Sequence, residues 1–104
     1  MLVSKSKYSE GDIVSFKLVN GDEIVAKVVD QTDTKFVVSK PLTVIPQQKG
    51  LMLIQSLFSA DIEDDIEIER SHVMLHTKSA DEVNAYYIQT TTGIEAVPQS
   101  AIIT

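Results

Sequence analysis

Residues 12–44 read DIVSFKLVNGDEIVAKVVDQTDTKFVVSKPLTV. Two runs in this stretch alternate apolar with polar residues, and the apolar positions on one face are Val14, Phe16, Leu18, Ile24, Ala26 and Val28. Such alternation is typical of a strand with one buried face. Asn20-Gly21 lies between the two runs and favours a tight turn. The stretch therefore predicts a β-hairpin, with strands at about residues 13–19 and 22–29.

A third strand is predicted at residues 35–47, after a second turn at residues 30–34. Its many β-branched and aromatic residues favour an extended chain. The apolar residues expected to share one face are Phe36, Val38, Leu42 and Val44. Pro41 and Pro46 lie inside this strand and cannot donate to a ladder, so we expect a bend, a bulge or an edge there. Three strands joined by short turns form a meander, which is how small barrels begin.

The chain continues with further β segments. Residues 51–59 form an apolar run, typical of a strand that is buried on both faces or covered by a partner. An acidic loop follows, and residues 66–69 then alternate as a short strand. Residues 72–76 resume an extended pattern. The first three quarters of the chain therefore predict a β structure.

A helix is predicted at about residues 80–91. Ser79 and Glu82 have the spacing of a capping box, and Gly93 stands where a helix commonly ends. An apolar stripe on this helix consists of Val83, Tyr86, Tyr87 and Thr90, and the two tyrosines are expected to pack on the barrel or on a neighbouring subunit. The tail at 93–104 is predicted to add a strand or to act as a docking tail.

Length and charge limit the possible functions. The 104 residues predict one domain, with a barrel at about 11–77 and a helix and tail at about 79–104. The net charge is −6, and the second half is strongly acidic, so any RNA site must be local rather than a broad basic face. No cysteine and no membrane-length apolar run are present. We therefore expect no membrane contact and a cytoplasmic location, in the host cytoplasm if the protein is viral.

The hairpin resembles the first motif of the Sm-like (LSm/Hfq) family. Its residues 18–21 (LVNG) are followed by the small Ala26, by Val28 and by an apolar run that begins at Phe36. The turn is most similar to that of bacterial Hfq. The overall layout is similar to that of the short Sm-like proteins of tailed phages, including cyanophages.

A second motif of the same family is an apolar strand, an Arg-Gly pair and another apolar strand. Residues 66–73 (IEIERSHV) resemble it, with Arg70 in the place of the Arg and Ser71 in the place of the Gly. The chain departs from the family in lacking the expected Asn near the second turn and in placing its helix late. Together the two motifs imply a small, strongly bent, five-stranded antiparallel barrel with one C-terminal helix.

The resemblance also implies an assembly and a ligand. Sm-like subunits form rings, so a homo-oligomer from pentamer to heptamer is expected, with strand edges at 51–59 and 72–76 as the interface. The interface candidates are then Met52, Ile54, Phe58, Val73 and Leu75. Family members bind single-stranded RNA near the central pore, and the positions here that match the contacting residues are Thr34, Lys35, Arg70 and Ser71.

Other interpretations stay open. Arg70 is surrounded by acidic residues in the sequence and could instead pair on the surface with Glu67 or Glu69. The chain could be a ring-shaped scaffold that binds a basic protein and no RNA, or an unrelated monomeric barrel. Ser71 and His72 are neighbours and would point apart in a strand, so they cannot act as nucleophile and base. We predict no enzymatic activity, no cofactor and no metal site.

Overall fold

The computed structural model describes residues 8–96 and, within them, the side chains of residues 8–92. The described part contains six strands and one helix: β1 (Ile13–Leu18), β2 (Glu23–Gln31), β3 (Lys35–Pro46), β4 (Leu51–Gln55), β5 (Asp65–Glu69), β6 (Val73–Lys78) and α1 (Asp81–Ala96). A 3-10 turn at Arg70–His72 joins β5 to β6. The predicted mainly β fold with one C-terminal helix is confirmed.

The six strands form one bent antiparallel sheet in the order β4-β3-β2-β1-β6, with β5 also paired to β3. The first half of β3 pairs with β5 and its second half pairs with β4. One long strand therefore serves two partners on the same edge. The predicted fourth strand at 51–59 ends at Gln55, because residues 56–64 form turns that separate β4 from β5. The strand count is six rather than five because the 3-10 turn at Arg70–His72 divides β5 from β6.

The predicted hairpin between β1 and β2 is confirmed. Phe16 lies opposite Ile24, and Leu18 N donates to Asp22 O at 2.8 Å to close the turn. Gly21 has a φ of +99°, a conformation that glycine adopts without the steric penalty of a side chain. Asp22 N also donates to the side chain of Asn20 at 3.0 Å. The Asn-Gly pair therefore forms the turn through its own local chemistry.

A bulge at Lys40 and Pro41 bends β3. Val25 pairs with Leu42 and Lys27 with Ser39, so two residues of β3 lie opposite the single residue Ala26. Lys40 has a φ of +51°, in the left-handed region. The expectation that Pro41 lies at a bend or bulge is therefore confirmed.

This bulge also divides the apolar residues between two faces of the sheet. The inner cluster contains Val14, Phe16, Ile24, Ala26, Val28, Phe36 and Val38. The outer cluster, which α1 covers, contains Ile13, Val25, Leu42, Val44, Leu53 and Tyr87. The prediction that Phe36, Val38, Leu42 and Val44 share one face is wrong, because an extra residue in a strand reverses its in-and-out alternation.

The helix α1 begins and ends later than predicted. Asn84 N donates to Ala80 O at 2.8 Å, so Ala80 rather than Ser79 takes the cap position. The Ser79 hydroxyl lies 2.7 Å from that of Ser15 on β1. The helix continues through Gly93 to Ala96, since a glycine destabilises a helix interior by only about 1 kcal/mol. Residues 93–96 of the predicted tail at 93–104 belong to α1, and residues 97–104 lie outside the described part.

Tyr87 attaches α1 to the outer face of the sheet. Its side chain is 1% exposed, and its hydroxyl lies 2.9 Å from Ser39 O and 2.8 Å from Lys40 O at the bulge of β3, so these two carbonyls share its one proton. Burial raises the pKa of Tyr87, so the hydroxyl keeps its proton. Tyr87 therefore packs on the sheet as predicted, whereas Tyr86 is 38% exposed and Thr91, which was not predicted, is buried. Within residues 8–96, no helix has the length and apolar content needed to cross a bilayer.

Candidate nucleic-acid interface

Two turns from distant parts of the sequence meet at one end of the sheet. Arg70 N, in the 3-10 turn, donates to Thr34 O, in the β2–β3 turn, at 2.8 Å. Lys35 lies opposite Glu69 in the pairing of β3 with β5. Ser71 follows Arg70 and is exposed. The fold therefore brings together the four predicted positions Thr34, Lys35, Arg70 and Ser71.

The guanidinium of Arg70 is held by groups of the β2–β3 turn. Its Nε donates to Thr32 O at 2.7 Å, and its Nη2 lies 3.5 Å from Gln31 Oε1. Its Cζ lies 4.1 Å from the centre of the Phe36 ring, a cation–π distance. The alternative that Arg70 pairs with Glu67 or Glu69 is wrong for the described residues, because the side chain turns toward the end of the inner core.

Lys35, rather than Arg70, forms an ion pair with Glu67. Its Nζ lies 2.9 Å from Glu67 Oε1, and both side chains are largely exposed. The hydrogen bond from Lys35 to Glu67, followed by the charge of Glu67, raises the pKa of Lys35. An exposed ion pair of this kind is weak, so an anionic ligand can displace Glu67.

A cluster of rings lies behind Arg70. The ring centre of Phe36 is 5.0 Å from that of Phe16 and 5.1 Å from that of His76. Tyr8 joins the cluster through His76, with 2.7 Å between the Tyr8 hydroxyl and His76 Nδ1. Of these rings, Phe36 contacts the guanidinium of Arg70, and the other rings pack around Phe36.

Gln31 connects Arg70 to the segment that precedes β1. Its Nε2 donates to Tyr8 O at 2.8 Å. Because a main-chain carbonyl only accepts, the amide nitrogen faces Tyr8 and Oε1 faces Arg70. Gln31, Tyr8 and His76 were not predicted as site residues. No sequence signal identifies them, since their partners lie 23 to 68 positions away.

The pKa values of His76 and Tyr8 are both shifted from their usual values. Burial, followed by the charge of Arg70, lowers the pKa of His76. Burial raises the pKa of Tyr8, with Arg70 acting in the opposite direction and Asp12 in the same direction. The hydroxyl of Tyr8 is therefore protonated and His76 is neutral near pH 7. Their hydrogen bond joins two uncharged groups.

Acidification is expected to destabilise the protein through His76. Its pKa is lowered on folding, so the unfolded chain, whose histidine titrates near 6.5, binds the proton more tightly. The stability contributed by neutral His76 is complete above about pH 6.5 and is lost as the pH falls through the lowered pKa. Thermal unfolding measured from about pH 7.5 to about pH 5 tests this effect.

The second histidine provides the matched control. His72 is exposed in the 3-10 turn, so the His72→Gln variant should retain the pH dependence of the wild type. The His76→Gln variant should lose the part of that dependence that lies just below pH 6.5. An unchanged pH profile in His76→Gln would contradict the role assigned to this ring.

The predicted interface residues lie in different environments. Phe58 and Leu75 are 74% and 64% exposed, whereas Val73 packs against the inner cluster. Met52 and Ile54 are half-buried on β4, which pairs with β3. The sequence did not single out Met74, which is 61% exposed on β6. Among the described strands, β4, β5 and β6 each have one unpaired edge.

Comparison of the sequence with protein-family models and with curated proteins finds no match. The resemblance to Sm-like proteins therefore stays a prediction, based on the two motifs quoted above. The geometry of the two turns is the feature from which a function can be argued.

Proposed function

We propose that this chain is an Sm-like subunit of a homo-oligomeric ring that binds single-stranded RNA near a central pore. The observation that carries the proposal is the hydrogen bond from Arg70 N to Thr34 O. It joins the two turns whose motifs resemble those of the family, and it sets Lys35 and Arg70 at the same end of the sheet. A ring would repeat this pair of cations once in each subunit around the pore.

The two cations offer different chemistry to a single strand. Lys35 is an exposed ammonium that can exchange Glu67 for a phosphate. Arg70 is held on one face by Phe36, so its other face and its remaining N–H donors are available to a base or a phosphate. Thr34 and Ser71 add hydroxyl groups beside them. Since the chain has a net charge of −6, binding depends on this local set.

The unpaired edges of two strands support the proposed assembly into a ring. The edges of β5 and β6 that face away from β3 and β1 are unpaired among the described strands, and the 3-10 turn holds these two strands next to each other in the chain. Exposed Met74 and Leu75 lie on β6. Pairing of β5 in one copy with β6 in the next would bury these side chains and remove both edges. The predicted interface segment 51–59 also has an unpaired edge, on β4, so pairing of β4 with β6 stays a second arrangement.

Light scattering and RNA titration test the proposal together. A mass of five to seven times 11.5 kDa is expected for the wild type, with a further increase on adding short oligo-U or oligo-A. The double variant Lys35→Glu and Arg70→Glu should bind RNA at least about thirtyfold more weakly, because it loses two contacts of roughly 1–3 kcal/mol each. A monomer of 11.5 kDa at micromolar concentration would contradict the ring.

A matched control separates binding at Lys35 and Arg70 from the effect of net charge on RNA affinity. Lys49 is exposed in the β3–β4 turn, so the Lys49→Glu variant reverses one charge away from the two turns, which is half of the charge change in the double variant. It should bind RNA within about threefold of the wild type at moderate salt. Equal losses in both variants would indicate non-specific attraction. Circular dichroism verifies that each variant is folded.

A second candidate function is a scaffold that docks a basic protein and no RNA. The observation that favours it is the set of exposed carboxylates between β4 and β5, at Asp61, Glu63 and Asp64. Under this proposal, charge reversal at Lys35 and Arg70 leaves partner binding unchanged. The RNA titration therefore distinguishes the two functions.

A further inference from the structure

The turn between β4 and β5 presents an aromatic side chain to solvent. Phe58 is 74% exposed, more than any other large apolar residue in the described part, and Leu57 beside it is 49% exposed. Ala60 N donates to Leu57 O at 3.1 Å and closes a turn at residues 57–60, which we name the Phe58 turn. Phe58 and Leu57 together form an exposed apolar patch, which is unfavourable in water, and contiguous patches of this kind are a common feature of interaction sites.

Side chains hold the Phe58 turn in place. Gln55 Nε2 donates to Leu57 O at 3.0 Å and to Ala60 O at 3.2 Å. Ser56 N donates to Pro41 O at 3.1 Å, and the Ser56 hydroxyl lies 2.9 Å from that of Thr43 on β3. The turn is thus attached to the sheet, and Phe58 projects from an ordered base. A pre-organised aromatic side chain is a common anchor at protein interfaces.

The charges beside the turn restrict the possible partners. Asp61, Glu63 and Asp64 follow it and are exposed. The sequence between Lys49 and Arg70 contains six acidic residues and no Lys or Arg. In the fold, Lys40 lies beside Asp61 and Asp64, but the three carboxylates outnumber it, so the surface repels the phosphates of RNA and the anionic lipids of a membrane. The same turn of a second copy, which carries the same carboxylates, is also disfavoured, whereas a basic protein surface is complementary.

We infer that residues 57–64 form a docking surface for a basic partner protein, whose apolar pocket takes Phe58 while its Lys and Arg side chains meet Asp61, Glu63 and Asp64. This surface is formed by the β4–β5 connection, whereas the RNA site is formed by the β2–β3 turn and the 3-10 turn. The inference does not depend on the proposed RNA binding. It also gives Phe58 a role other than contact within the ring.

Two synthetic peptides can probe this surface. The first is a fluorescein-labelled helical peptide of lysine and leucine, and the second has the same lysines with serine in place of leucine. Fluorescence anisotropy should detect binding of the first peptide to wild-type protein. The Phe58→Ser variant should bind it about tenfold to 150-fold more weakly, since a buried phenyl ring contributes roughly 1.5–3 kcal/mol. The serine peptide should bind weakly to both proteins.

Further variants separate the contribution of Phe58 from non-specific hydrophobic binding. Ile88 on α1 is 53% exposed, so Ile88→Ser removes a comparable apolar group elsewhere and should leave the affinity unchanged. The double variant Asp61→Asn and Asp64→Asn should weaken binding about fivefold to tenfold and reduce its salt dependence. None of these changes touches Lys35 or Arg70, so RNA binding should be unaffected.

Three results would overturn the inference. The first is equal affinity of Phe58→Ser and the wild type for the leucine peptide. The second is a loss in Ile88→Ser as large as that in Phe58→Ser. The third is a smaller assembly mass for Phe58→Ser than for the wild type in light scattering. That result would assign the phenyl ring of Phe58 to a contact between copies of this chain. Because Phe58 is exposed, the Phe58→Ser variant should melt within a few degrees of the wild type, so loss of folding does not confuse the test.

Discussion

Replacement of Phe36 with alanine is expected to reduce the free energy of unfolding by about 3–5 kcal/mol. Phe36 is fully buried in the inner cluster and its ring contacts those of Phe16 and His76. Its removal leaves a cavity that neighbours on four strands cannot easily fill. Because a domain of this size is stable by only about 5–15 kcal/mol, the loss is a large fraction of the total. Urea unfolding followed by circular dichroism measures it.

The Phe36→Leu variant separates stability from the site. Leucine keeps most of the apolar volume, so the expected loss is about 1–1.5 kcal/mol, but it removes the ring that supports Arg70. RNA affinity should then decrease although the protein remains folded. Val37→Ala, a neighbour on the opposite face of β3, should change stability much less. A loss below about 1 kcal/mol in Phe36→Ala would contradict the packing described here.

Replacement of Tyr87 with alanine is expected to have the second large effect, also about 3–5 kcal/mol. The change removes the one side chain of α1 that is fully buried in the outer cluster among the described residues. It also leaves Ser39 O and Lys40 O without the hydroxyl that bonds them. The helix should lose most of its protection, which hydrogen exchange of its amides can measure alongside thermal unfolding.

Two variants divide this effect into its parts. Tyr87→Phe keeps the ring and removes only the hydroxyl, so about 1–2 kcal/mol should be lost from the two carbonyls. Tyr86→Ala, at the exposed neighbouring position, should stay within about 0.5–1 kcal/mol of the wild type. A neutral Tyr87→Phe would mean that the hydroxyl contributes nothing to the attachment of α1.

Phe36 has a double role that links the fold to the proposed site. One part of its environment is the inner cluster, and the other is the guanidinium of Arg70. Any change that loosens the inner core therefore also changes the position of Arg70. Stability and RNA affinity should decrease together in variants at Phe36. Variants at Tyr87 should lose stability and keep RNA affinity, because Tyr87 packs on the other face of the sheet.

Much of the fold can be predicted where the responsible chemistry is local. Asn20-Gly21 makes its turn through its own backbone and side-chain preferences, and the alternation around it assigns Phe16 and Ile24 to one face. The positions of Thr34 and Arg70 were also predicted, through their place in two motifs. Their hydrogen bond could not be derived from either motif alone, because it depends on how β3 and β5 pair.

The sequence by itself determined the strand segments, the late helix and the acidic balance of the second half, because these depend on residues that are neighbours in the chain. Only the tertiary structure decided the bulge at Lys40 and Pro41, and with it the assignment of Leu42 and Val44 to the outer face. It also decided that Arg70 stacks on Phe36 while Lys35 takes Glu67. A charged side chain selects among several partners by their distance and burial, and these exist only once the strands have packed.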